Sequence, residues 1–113
     1  MIIVEEPMAI KELMKIGEEG FGDMVKAVVD VERKIMAVGG ELHSDEEAIL
    51  LSSGSKQENL WGINLYPQKK DDEFIEFDSV INLKPSQGNR SRGIESPQIQ
   101  KKIKEIVGKL IKA

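Results

Sequence analysis

The sequence predicts an α+β domain: an antiparallel sheet of four or five strands in two layers with an N-terminal and a C-terminal helix packed on it. Three observations predict it. Several segments alternate apolar and polar residues with a period of two, separated by short polar turns. The last stretch repeats apolar residues at helical spacing behind a Ser-Pro start. A shorter helical pattern follows Pro7 near the beginning.

In chain order, Ile2-Ile3-Val4 is a short candidate strand. Ile10, Leu13, Met14 and Gly17 share one face of a helix that Gly17 or Gly20 ends. Residues 24–32 alternate, with Val25, Ala27, Val29 and Val31 inward and Lys26, Asp30 and Glu32 outward. That pattern predicts a half-buried strand. A turn at Glu32-Arg33-Lys34 leads to a second strand, Ile35 to Val38, broken by Gly39-Gly40. Residues 44–52 fit two elements. Ser44 and Glu47 form a capping-box pattern, whereas Ala48-Ile49-Leu50-Leu51 suits a buried strand, and the short run before Gly54 favours the strand. Trp61, Ile63 and Leu65 alternate up to Pro67. Residues 74–84 form the longest alternating run, with Ile75, Phe77, Ile81 and Leu83 on one face and Pro85 as its stop. Ser96 then caps a helix with Pro97 at its first position, and Ile99, Ile103, Ile106, Val107, Leu110 and Ile111 make its apolar stripe.

A chain of 113 residues forms one domain, residues 1–113. Folding at this size hides roughly 65% of the extended chain's surface, enough for a core. The absence of cysteine excludes disulfides and thiolate metal sites. Met1-Ile2-Ile3-Val4 lacks the basic start of a signal peptide, and no apolar run approaches the roughly 20 residues of a membrane span. A cytoplasmic location and no membrane partner are expected. The cysteine-free, Glu-, Lys- and Ile-rich usage is that of thermostable proteins.

Charge is divided along the chain. Residues 1–83 hold 8 Lys/Arg and 18 Asp/Glu, whereas residues 84–113 hold 8 and 2, giving −10 and +6 within a net charge of −4. The change falls at Lys84-Pro85-Ser86-Gln87-Gly88-Asn89-Arg90-Ser91-Arg92-Gly93, which carries two of the three arginines.

Four phrases stand out as a set: Phe21-Gly22-Asp23-Met24-Val25-Lys26-Ala27-Val28-Val29-Asp30; Gly39-Gly40-Glu41-Leu42-His43-Ser44-Asp45; Gly54-Ser55-Lys56-Gln57-Glu58-Asn59-Leu60-Trp61-Gly62-Ile63-Asn64-Leu65-Tyr66-Pro67; and Ser86-Gln87-Gly88-Asn89-Arg90-Ser91-Arg92. Together they resemble a family of short prokaryotic proteins known only as a domain of unknown function. The resemblance implies one complete domain and carries no activity with it.

The charge-changing loop is the first candidate site. Gly88 and Gly93 let main-chain N–H groups approach a ligand, Arg90 and Arg92 can each grip a carboxylate or phosphate with two hydrogen bonds, and Gln87, Asn89 and Ser91 add neutral donors. The start of the last helix adds positive potential. This pattern suits a small anion or an acidic partner segment. The alternative is a solvated loop whose arginines pair with Glu41, Asp45 or Glu47.

The second candidate is the acidic cluster Glu41, His43, Asp45, Glu46 and Glu47, with the chain's only histidine. In an extended segment His43, Asp45 and Glu47 would share a side, a set that a metal-assisted or His-dependent hydrolase could use around Glu41, His43 and Asp45. A single histidine is sparse for zinc, so no metal site and no cofactor is assigned. A polar turn is the competing reading. Trp61 and Tyr66 are either core or the floor of a ligand site. The lysines of the last helix read as a solvated face, and nucleic-acid binding through the basic C-terminal third is an alternative disfavoured by the net acidity. The function expected from these residues is a non-enzymatic interaction module, self-associating as a homodimer because an open sheet leaves edges to protect.

Overall fold

The computed structural model describes residues 1–113. The α+β class, the antiparallel sheet and the two terminal helices are as the sequence predicts. Strand β1 (Ile2–Val4) and the two-residue β2 (Met8–Ala9) precede helix α1 (Ile10–Glu19). Strands β3 (Val25–Asp30) and β4 (Ile35–Val38) form a hairpin, followed by helix α2 (His43–Ser52). Strand β5 (Leu60–Leu65), the short β6 (Ile75–Glu76), helix α3 (Pro97–Leu110) and β7 (Ile111–Lys112) complete the chain.

The main sheet has five strands in the order β1-β4-β3-β5-β6, every pair antiparallel. β2 and β7 pair in parallel and tie the start of α1 to the end of α3. The register sets Val25, Ala27 and Val29 opposite Leu65, Ile63 and Trp61. Their side chains meet Leu13 of α1 and Ile103, Ile106, Val107 and Leu110 of α3 in the principal core. Ser96 caps α3, its Oγ accepting the Ile99 N–H at 3.3 Å. Trp61 is a core residue, 2% exposed.

Three elements differ from the sequence expectation. Residues 44–52 lie in helix α2 rather than a strand. Its buried positions include Glu46 and Leu50, one turn apart, while Leu51 is exposed. A carboxyl group on the buried face erases the apolar periodicity that announces a helix. Leu42 holds the N-cap position without a side-chain hydrogen bond, so the Ser44/Glu47 capping box does not form. Because α2 covers the second sheet face, β3 is buried on both sides rather than half-buried. Val28, Ile35, Ala37, Leu50 and Leu60 form a second cluster there.

The run 74–84 contributes only Ile75–Glu76 to the sheet. Ser79 then caps a 3-10 turn, Val80–Asn82, and a second such turn spans Pro85–Gln87. The predicted common face is split: Phe77 packs on the principal core, Ile81 on the second cluster, and Leu83 is exposed.

Candidate functional site

The loop is built on buried asparagines. Gly88 adopts φ +83°, closing the turn so that Lys84 and Asn89 pair across it as an isolated antiparallel bridge. Asn89 is 4% exposed and all its polar capacity is spent inside. Its Nδ2 donates to the carbonyls of Asn82 at 2.7 Å, Gly93 at 2.8 Å and Ser91 at 3.2 Å, and its Oδ1 accepts the Glu95 N–H at 2.8 Å. Asn89 therefore organises the loop and offers nothing to a ligand. Gln87 is likewise engaged, its Nε2 donating to the Glu58 carbonyl at 3.0 Å.

An anion of the chain itself sits on the loop's main chain. Glu95 Oε2 accepts the Arg90 N–H at 2.7 Å. That bond, with help from Ser91, holds the Glu95 carboxyl below its ordinary range. The guanidinium groups take different roles. Arg92 Nε donates to Asp78 Oδ1 at 2.7 Å, the only salt bridge in the molecule, with both side chains about half exposed (56% and 45%). Arg90 is exposed, and its guanidinium has no acceptor in the chain. Neither arginine pairs with Glu41, Asp45 or Glu47, the neighbours foreseen from the sequence.

The acidic cluster is rearranged by α2. Residues two apart on a helix point about 200° apart, so His43, Asp45 and Glu47 do not share one side. Glu41 and Asp45 are exposed, and Glu47 is half-buried with Oε2 unpartnered. No three His, Asp or Glu side chains converge anywhere in the molecule. His43 turns to the sheet, where its Nε2–H donates to the Ile63 carbonyl at 2.8 Å. Burial, foremost, lowers its pKa, and Lys26 adds to the effect.

The two candidate regions approach each other through Asp78. On this sheet face Lys26, Asn64 and Glu76 stand side by side across β3, β5 and β6. Asn64 Nδ2 donates to Glu76 Oε1 at 2.9 Å and to the Asp78 carbonyl at 3.3 Å. Tyr66 donates its hydroxyl to the same Glu76 oxygen at 3.0 Å; burial first, then Glu76, raises its pKa. Asp78, bound by Arg92, also carries charge that acts on the His43 ring. A mixed-charge surface thus runs from the loop arginines to the start of α2.

Two fully buried polar side chains, Asn82 and Glu46, are both 0% exposed. Asn82 stands out neither by type nor by spacing, whereas Glu46, a member of the acidic cluster, lies on the buried face of α2. Glu46 Oε2 accepts the Gly40 N–H at 3.0 Å while Oε1 lacks a partner, and burial pushes its pKa up to about 9. Asn89, by contrast, lay inside the flagged loop, in the role of a ligand donor.

Fold and site define a small single-domain α+β protein with a charged loop fixed from within. Residues 2–110 match the family model described as "Protein of unknown function (DUF5674)", and the chain belongs to that family. No curated protein and no solved structure matches the chain.

Proposed function

We propose that the protein is a non-enzymatic interaction module that receives an acidic segment of a partner protein on Arg90 and Arg92. The observation that carries this reading is the contrast at Arg90. Its main-chain N–H is fixed by Glu95 at 2.7 Å, yet its guanidinium is unspent at the surface. A cation on a preorganised loop loses little conformational freedom when it binds. Arg92 is half committed, because Asp78 engages Nε. The Glu95 carboxylate takes the N–H group that a small anion would need, which favours a partner carboxylate reached by side chains. The hydrolase alternative draws no support from this geometry, since α2 separates Glu41, His43 and Asp45.

The module acts as a thermostable homodimer in the cytoplasm. Support for the dimer is edge strand β1, with one side unpaired and Ile2 45% exposed. No helix is long and apolar enough to cross a membrane. Titration with a poly-glutamate peptide tests the binding role. Binding that weakens with salt and disappears in the Arg90→Ala/Arg92→Ala variant supports it; equal binding by that variant removes it.

A further inference from the structure

The arginine loop already holds one carboxylate, and it belongs to the chain. Glu95 Oε2 accepts the Arg90 N–H at 2.7 Å. Ser91 adds its hydroxyl and its N–H, and the Arg90 charge adds to their pull, so the Glu95 carboxyl lies below its ordinary range. Neighbouring main-chain N–H groups that converge on one anion form a seat for it. An acidic side chain arriving from a partner would find the same donors there. It would also find the Arg90 guanidinium, which pairs with no carboxylate of the chain.

The contact is not what shapes the loop. Asn89 does that from within: its Oδ1 accepts the Glu95 N–H at 2.8 Å, and its Nδ2 donates to the carbonyls of Asn82, Gly93 and Ser91. The main chain on both sides of the seat is therefore fixed whether or not the Glu95 side chain is in place. Arg90, Ser91 and Glu95 are all exposed, so water satisfies the Arg90 N–H when the carboxylate swings away. A carboxylate on a free side chain, held over a fixed seat at the surface, is an occupant that another carboxylate can exchange with.

Resting on the reading of Arg90 and Arg92 given above, we infer that Glu95 is an autoinhibitory stand-in for the partner's carboxylate. It fills the seat at Arg90 and Ser91 in the free protein and gives way when an acidic residue of the partner arrives. A seat open for only part of the time binds with an affinity reduced by that fraction.

Calorimetric titration of the whole chain with poly-glutamate tests the inference on the parent, Glu95→Ala and Glu105→Ala. The last removes the same charge from an exposed position of α3. Glu95→Ala should bind at least about fivefold more tightly than the parent. Glu105→Ala should stay within about twofold of the parent at physiological salt. The gain should vanish in Glu95→Ala/Arg90→Ala/Arg92→Ala; its persistence there overturns the inference. Equal affinity of the parent and Glu95→Ala overturns the inference and leaves the arginine reading standing. An equal gain in Glu105→Ala also overturns it, because bulk charge then accounts for the effect. Binding by Glu95→Ala alone is the extreme of the same inhibition and supports it, whereas binding by neither chain removes the arginine reading and the inference together. Should Glu95→Ala melt below the parent, Glu95→Gln decides, since it keeps an acceptor for the Arg90 N–H and drops the charge. A gain above about twofold in that variant decides in favour, and no gain decides against.

Discussion

Asn82 clasps Gly62 in the manner of a neighbouring strand: its Oδ1 accepts the Gly62 N–H at 2.8 Å and its Nδ2 donates to the Gly62 carbonyl at 2.9 Å. One side chain thus completes the hydrogen bonding of β5 where β6 has ended. Gly62 admits the approach, since a Cβ there would lie 2.5 Å from Ser79 Cβ. The same Nδ2 also donates to the Arg92 carbonyl at 2.9 Å, so the clasp ties the sheet to the arginine loop.

Asn82→Ala leaves both polar groups of Gly62 buried without partners. At about 1–3 kcal/mol for each of the two unsatisfied groups, the loss should be about 2–6 kcal/mol of stability. A thermal melt should show a fall of at least about 10 °C for a domain of this size. A change under about 2 °C would mean that water replaces the clasp at little cost.

Asn89 separates donor from acceptor. Asn89→Asp keeps an oxygen for the Glu95 N–H but removes the donor to Asn82, Gly93 and Ser91, and places a buried charge there. The variant should lose more than about 2 kcal/mol in denaturant unfolding, and amide exchange at residues 86–95 should accelerate well ahead of the sheet. Uniform acceleration across the molecule would show that Asn89 serves the whole fold rather than its loop.

Glu46 sets a pH dependence. Burial holds its carboxyl protonated up to about 9, whereas the unfolded chain releases that proton near 4.5. The folded state binds more protons between these values, so stability falls as pH rises through the interval. His43 acts at the other end: its lowered pKa means stability is lost as pH falls below 6.5. Glu46→Gln preserves an acceptor for the Gly40 N–H and removes the titration. Between about pH 6 and about pH 8.5 the parent should lose a few kcal/mol relative to the variant, measured by urea unfolding. Parallel pH profiles would show that the Glu46 carboxyl is ionised in the fold.

The proposed dimer joins two copies along β1. Sedimentation of the parent should give twice the chain mass at micromolar concentration. Ile2→Lys puts a charge on the exposed edge and should yield monomers with an unchanged melt of the isolated fold. A parent chain that sediments as a monomer removes the edge-pairing reading.

How far this fold is legible depends on where its polar residues go. In α3 the rules of capping and periodicity agree, from Ser96 and Pro97 to the stripe ending at Leu110, and the helix appears as expected. The alternation in β3 and β5 is equally plain, because Val25, Ala27, Val29, Ile63 and Leu65 all face one core. Helix α2 was hidden because Glu46 occupies a buried position that the pattern rules reserve for an apolar residue. The stretch after β6 reads as a strand because alternation says nothing of an asparagine that supplies strand-like bonds through its side chain. In the loop, composition marked a segment rich in polar and cationic side chains. It could not distinguish Asn89, which faces inward, from Arg90, which faces outward, since that choice is made by the carbonyls of Asn82 and Gly93.

The central claim is that the Arg90–Arg92 surface receives a partner's carboxylates. Its most direct test is an NMR titration of the isotope-labelled protein with poly-glutamate, following the arginine side-chain Nε–H signals and the amides. The account predicts saturable shifts at Arg90 and Arg92 with the amides of residues 86–93, and little change along α3. Shifts confined to the lysines of α3, or none at either arginine, would contradict it.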